Sequence, residues 1–115
     1  MNISLNPQAV TFAKRLIREG TIEHDEEHGV AHNPSTADEN TYLEEHHIEE
    51  YGNWHLGLDM SKREDAKARY KFPYGDFHAV HRDCLIAAKE RAAQDGYEDI
   101  GNAADQLLKL LEKRP

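Results

Sequence analysis

A chain of 115 residues with one cysteine and a formal net charge of −8 fits a single small domain, residues 1–115, and excludes an intrachain disulfide. It has no apolar run of about 18 residues, so no membrane-spanning helix is expected, and its negative balance argues against a nucleic-acid partner. Leu, Ile, Val and Phe supply 22 residues and alanine thirteen, which is enough for a modest, tightly packed core.

Asn6-Pro7 reads as a helix start, with Asn as N-cap and Pro in the first helical position. Ala9, Val10, Ala13, Leu16 and Ile17 recur at helical spacing, and Gly20 fits the stop. Residues 1–18 carry Lys14, Arg15 and Arg18 but no acid. They faintly resemble a transit peptide, yet an ordinary first helix explains them better. With no apolar signal-peptide region, the cytoplasm is the expected location. From Glu19 through Ser61 the chain then holds twelve carboxylates and six histidines without a lysine or arginine. Within this block, residues 21–34 have few apolar groups and read as a mobile acidic loop.

Ser35 with Asp38 resembles a capping box, which predicts a helix over 36–51 ending at Gly52. Its apolar residues Leu43, Ile48 and Tyr51 form no clean stripe. Trp54, Leu56, Leu58 and Met60 alternate like a strand, but Gly57 and the shortness of the run favour an extended, half-buried connector. Ser61 with Glu64 is a second capping box, for a short helix near 62–68. Pro73 and Gly75 impose an irregular turn. Asp76 can cap a helix over Phe77–Gln94 with Phe77, Val80, His81, Cys84, Leu85, Ala88 and Ala92 on one stripe, stopped by Gly96. Asp99 can cap a last helix bearing Ile100, Ala103, Ala104, Leu107, Leu108 and Leu111. The expected fold is all-α: three main helices, one or two short ones and an irregular connector, with the last two helices antiparallel and the first covering them.

Three runs carry a resemblance: Trp54 to Asp59, Arg69-Tyr70-Lys71-Phe72-Pro73-Tyr74-Gly75-Asp76-Phe77, and Val80-His81-Arg82 with Leu85-Ile86-Ala87-Ala88 and Arg91-Ala92. Together they resemble a family of small uncharacterised bacterial proteins. More loosely, the chain is similar to a C-terminal module of phage-associated proteins that sets a Tyr-Pro-Gly-like turn before an Ala-rich helix. The resemblance covers roughly residues 40–111. It implies a compact helical unit after the turn and no activity.

Several constellations can carry chemistry. His24, His28 and His32 share a spacing of four, and two such histidines with a carboxylate suit zinc or another divalent transition metal. Gly29 and Pro34 interrupt any helix through them, so a solvated acidic loop is the plainer reading. Glu44-x-x-His47 has the spacing of a di-iron ligand pair, echoed by Asp25-x-x-His28, but the chain is too short for a di-iron bundle. His78 and His81 could join His55 near the tyrosine-rich turn, although a core role suits His81 on its apolar stripe. Cys84 on that stripe reads as a buried structural thiol. Lys62, Arg63, Lys67, Arg69, Lys71 and Arg82 interleave with Tyr70, Phe72, Tyr74 and Phe77, and are expected to face the acidic block within the molecule.

These readings favour a non-enzymatic binding or adaptor module, whose face at Glu44, Glu45, Glu49 and Glu50 meets a basic protein partner, with no cofactor. The alternative is a metal-dependent protein using His24, His28, Glu44, His47, His55, His78 and His81. A third reading, a pH-sensing surface, follows from histidines crowded by carboxylates.

Overall fold

Asn6 and Pro7 do open a helix, α1 (Pro7–Arg18), and Gly20 follows it in the left-handed region at φ 79°. In the computed structural model, which describes residues 3–25 and 33–114, α1 buries Ala9, Ala13, Leu16 and Ile17. The Asn6 side chain does not cap the helix. Its Nδ2 donates to the backbone carbonyls of Gly52 and His55, at 3.0 and 3.1 Å. A residue chosen as a local signal thus fastens α1 to chain 46 and 49 positions away.

The fold is mixed α/β, not all-α. The expected connector is the central strand β3 (His55–Asp59) of a three-stranded sheet. It runs antiparallel to both neighbours, β1 (Ile3–Leu5) and β4 (Tyr70–Pro73), with Leu5 opposite Gly57 and His55 opposite Pro73. A separate parallel pair joins β2 (Ile22–Glu23) to β5 (Val80–His81) and sets Glu23 opposite His81. Strand partners this distant leave no local periodicity to read, which is why the sheets escape a helical reading. Gly57, weighed against a strand, belongs in it. A Cβ there would meet Phe72 at 2.8 Å and Ile3 at 3.1 Å, so the glycine lets side chains of both flanking strands close over β3.

The helix expected over 36–51 is two helices, α2 (Thr36–Glu45) and α3 (Ile48–Gly52), broken at His46 and His47, which are extended. The Ser35–Asp38 capping box forms in both directions, at 3.1 and 3.2 Å. Yet α2 has no fully buried residue, so no packed face carries it further. The Ser61–Glu64 box does not start a helix. Asp59 Oδ1 takes the Ser61 amide and hydroxyl at 3.0 and 2.6 Å, and only a 3-10 turn, Lys67–Arg69, follows.

Helix α4 (Arg82–Asp95) begins after the expected Phe77 start. Phe77 adopts φ 69°, Val80 and His81 pair with β2, and the Asp76 carboxylate closes a turn by accepting the His78 and Ala79 amides at 2.9 and 2.8 Å. The inward stripe itself holds: Phe77, Val80, His81, Cys84, Leu85, Ala88 and Ala92 are all buried. Gly96 stops α4 at φ 78°, and α5 (Glu98–Glu112) buries the six residues its periodicity marks. These two helices pack along each other, and α1 rests on α5 and β3. Of the segment read as a mobile loop, residues 22–23 form β2, whereas 26–32 lie outside the described residues. Among the described residues no helix is long and apolar enough to cross a membrane.

Candidate metal centre

Four side chains meet where the parallel pair runs into α4. His81 ends β5, so the register with β2 brings the chain just past Glu23 to its side. There Asp25 takes φ 42°, a left-handed conformation that aspartate tolerates better than most residues. Asp83 stands in the first turn of α4. Asp76 comes from the turn before β5.

The imidazole of His81, a residue only 7% exposed, is held from both ends. Its Nε2 lies 2.9 Å from Asp76 Oδ2, and its Nδ1 lies 3.1 and 3.2 Å from the two oxygens of Asp25. Asp25 Oδ2 also accepts the Asp83 amide at 3.3 Å, which serves α4 as an N-terminal cap, since His81 in the capping position makes no side-chain cap bond. One ligand atom each from Asp25, His81 and Asp83 lies within 4.8 Å of the others. This His/Asp cluster could hold a metal ion.

Burial alone would lower the His81 pKa, but the Asp76 hydrogen bond and the Asp25 charge outweigh it and raise it. Burial likewise works to raise Asp76, and hydrogen bonds from His81, Ala79 and His78 hold it below the usual carboxylate range. The raised value favours the imidazolium form, in which both ring nitrogens donate to carboxylates. If Nδ1 gave up its proton, Nε2–H would keep its bond to Asp76 and the Nδ1 lone pair would face Asp25 and Asp83. A carboxylate orienting a histidine toward a metal from the far side of the ring has this form. The dipole of α4 disfavours a cation at its N-terminus. Three carboxylates oppose that effect, and exchanging one proton for a divalent ion would bring the formal charge of the four side chains from −2 to −1.

The histidines selected from sequence do not converge. His81 is in the cluster. His24, the neighbour of Asp25, is outside it, with Nε2 buried and lacking a hydrogen-bond partner among the described residues. His28 lies outside the described residues. His55 is 2% exposed, its Nδ1 bonded to the Tyr51 carbonyl at 2.9 Å. Burial lowers its pKa to about 4, so it is a neutral core residue. Glu44 and His47 are both exposed, Glu44 on α2 and His47 in the extended break before α3, which removes the shared helix that a di-iron spacing presumes. His78 is exposed at a cavity of about 370 Å³ beside His46.

Glu44, Glu45, Glu49 and Glu50 are all exposed. Of the basic strip, Lys67 reaches the acidic block, meeting Glu39 at 2.8 Å, whereas Arg63 pairs with Asp65 and Arg82 with Glu112. Phe72, Tyr74 and Phe77 are buried, so they serve the core rather than a stacking platform. Cys84 is fully buried, and burial together with the Asp83 charge pushes its thiol up, which suits a structural thiol rather than a nucleophile. A larger cavity of about 490 Å³, by Asn6, Glu49, Asp65 and Tyr70, lies apart from these four side chains.

Sequence reasoning placed only His81 among the metal candidates. Asp25 enters it only in a discounted di-iron spacing, Asp76 reads as a helix cap, and Asp83 carries no reading of its own. Their signal is positional: Asp76, His81 and Asp83 crowd one strand-to-helix junction, but only if β5 is recognised as a strand. No family model, no curated protein and no solved structure matches the chain.

Proposed function

We propose that this protein binds a divalent transition metal, zinc first among them, through Asp25, His81 Nδ1 and Asp83, with Asp76 fixing the imidazole. The observation that carries this reading is the doubly held His81, whose Nδ1 meets Asp25 at 3.1 Å while Nε2 is anchored at 2.9 Å, with Asp83 in the same cluster within 4.8 Å. Ligands of a tetrahedral zinc stand about 3.4 Å apart, given zinc–ligand bonds of about 2 Å. The 3.1 Å approach of His81 to Asp25 meets that spacing, and a rotation of Asp83 would complete three ligands. A mixed nitrogen and oxygen set suits zinc better than calcium or magnesium, which prefer oxygen alone.

Zinc titration of the untagged protein by calorimetry tests the reading. One zinc per chain is expected. Asp83→Asn should weaken binding at least tenfold, and Asp76→Asn by about 10- to 100-fold as the loss of an orienting carboxylate. Absence of stoichiometric zinc, or affinity unchanged in Asp83→Asn, would overturn it; the second outcome would indicate the solvent-facing histidines instead.

A second reading is favoured by the exposure of Glu44, Glu45, Glu49 and Glu50 on two successive short helices. This face carries four carboxylates with no lysine or arginine between them in the chain, which suits a basic protein partner.

A further inference from the structure

We infer that a cavity on the flank of α1 binds a dianionic phosphate group through Arg15 and Arg18. The cavity, about 420 Å³, is lined by Gln8, Thr11, Phe12, Arg15, Arg18 and Asn53. The first five recur three or four residues apart along α1, so they share one face of the helix. Asn53, which follows α3, supplies the part of the lining that α1 does not. None of the six belongs to the cluster at His81.

The lining is basic in an acidic protein. Two guanidiniums stand in it, and no carboxylate is among the described residues that form it, although the chain carries a net −8. The two cavities described above are acidic by contrast, with Asp38, Glu45 and Asp76 in one and Glu49, Glu64 and Asp65 in the other. Repulsion from distant carboxylates is screened over about 8 Å at physiological ionic strength, so the local donors decide what enters. Among the described residues neither Arg15 nor Arg18 forms an ion pair, whereas Lys67, Arg82 and Lys89 each hold a carboxylate.

Arg15 is already oriented. Its guanidinium carbon lies over the Phe12 ring, 5.0 Å from the centre, and Phe12 packs edge-on against Trp54 at 5.4 Å and 78°. Trp54 is buried, so the ring that carries Arg15 is anchored in the core. Stacking engages the face of a guanidinium and leaves its N–H edge free to donate. Holding the side chain in advance lowers the entropy lost when a ligand fixes it. Thr11 Oγ1 donates to the Pro7 carbonyl at 3.2 Å, which leaves the two guanidiniums and the amides of Gln8 and Asn53 as donors. A carboxylate offers them one charge and two oxygens. A phosphate offers nearly two charges and three oxygens, the better match for paired arginines. A cavity of this size also has room for part of the group that carries the phosphate.

The test is an NMR titration of protein stripped of metal and then of chelator, with inorganic phosphate and with N-acetyl-phosphoserine N-methylamide. Saturable shifts centred on Gln8, Phe12, Arg15, Arg18 and Asn53 are expected. N-acetyl-aspartate N-methylamide should bind at least threefold more weakly. Arg15→Gln and Arg18→Gln should each weaken phosphate about tenfold, the scale of one charge-assisted hydrogen bond. Both arginines are exposed, so these variants should keep the fold, which their spectra check. Lys14 is on the same helix but does not line the cavity, and Lys14→Gln should leave binding unchanged. The tighter of the two phosphate compounds distinguishes a free ion from a phosphorylated side chain, and either supports the site. Shifts without saturation, an equal loss in Lys14→Gln, equal binding of the aspartate compound, or shifts centred on Asp25, His81 and Asp83 would overturn the inference.

Discussion

Replacing Gly75 with alanine is expected to destabilise the protein by about 3 kcal/mol or more, at the upper end for forcing an atom into a packed core. A Cβ at this position would collide with the Ala79 carbonyl oxygen and approach the Trp54 ring at 2.8 Å. Neither neighbour can give way easily. Gly75 bridges to Val80, the Asp76 carboxylate locks the His78 and Ala79 amides, and Trp54 is 4% exposed against Phe12, Tyr74 and Phe77. Gly96 provides the comparison. It sits at φ 78° with nothing within 4 Å of where a methyl group would stand, so Gly96→Ala should cost only the left-handed strain, about 1–2 kcal/mol. Denaturant unfolding of both variants measures the difference, and equal costs would mean that the turn does not press on Trp54 as described. Because the same turn presents Asp76 to His81, a partly folded Gly75→Ala protein should also lose zinc affinity.

Acidification from about pH 6.5 to 4 should remove about 3 kcal/mol of stability through His55 alone, the linkage expected when a histidine titrating near 6.5 in the unfolded chain is held near 4 in the fold. The cause is burial, which disfavours the charged ring. Here the sign is fixed: a depressed folded value favours folding above the unfolded value, and that contribution is lost as pH falls toward about 4. The stability difference between the protein and His55→Gln should therefore be greatest near neutrality and shrink by about 3 kcal/mol at pH 4. A difference independent of pH would remove His55 from the core. His81 runs the other way. Its folded value is raised, so in metal-free protein its contribution is complete below about pH 6.5 and is lost as pH rises through the folded value. A His81→Gln variant should thus lose least, relative to the parent, at high pH. Zinc would reverse that trend by taking the place of the Nδ1 proton, since metal binding to histidine strengthens as the proton leaves.

The two histidines show how the candidate site became legible. Both stood out in the sequence, His55 beside a tryptophan and His81 on an apolar stripe, and both are buried. Their opposite electrostatics come from neighbours that spacing does not reveal. His55 faces the Tyr51 carbonyl and aromatic rings, whereas His81 faces two carboxylates, one of them 56 residues away. The pairing of β2 with β5 is only two residues long, too short to register as a pattern. It nevertheless decides that Asp25 meets His81.

By itself, the sequence determined the helical part of this protein: the starts at Pro7 and Thr36, the stops at Gly20 and Gly96, and the inward faces of α1 and α5. These follow from caps and a 3.6-residue period, both local properties. It also determined the solvent-facing character of Glu44, Glu45, Glu49 and Glu50, because their helices have too little apolar surface to bury them. Only the tertiary structure decided that residues 55–59 form a central strand, that the helix over 36–51 breaks at two histidines, and that Asp25, Asp76, His81 and Asp83 meet. Strand pairing and side-chain convergence join residues tens of positions apart, and free energy gained across such distances leaves no periodic trace in the chain.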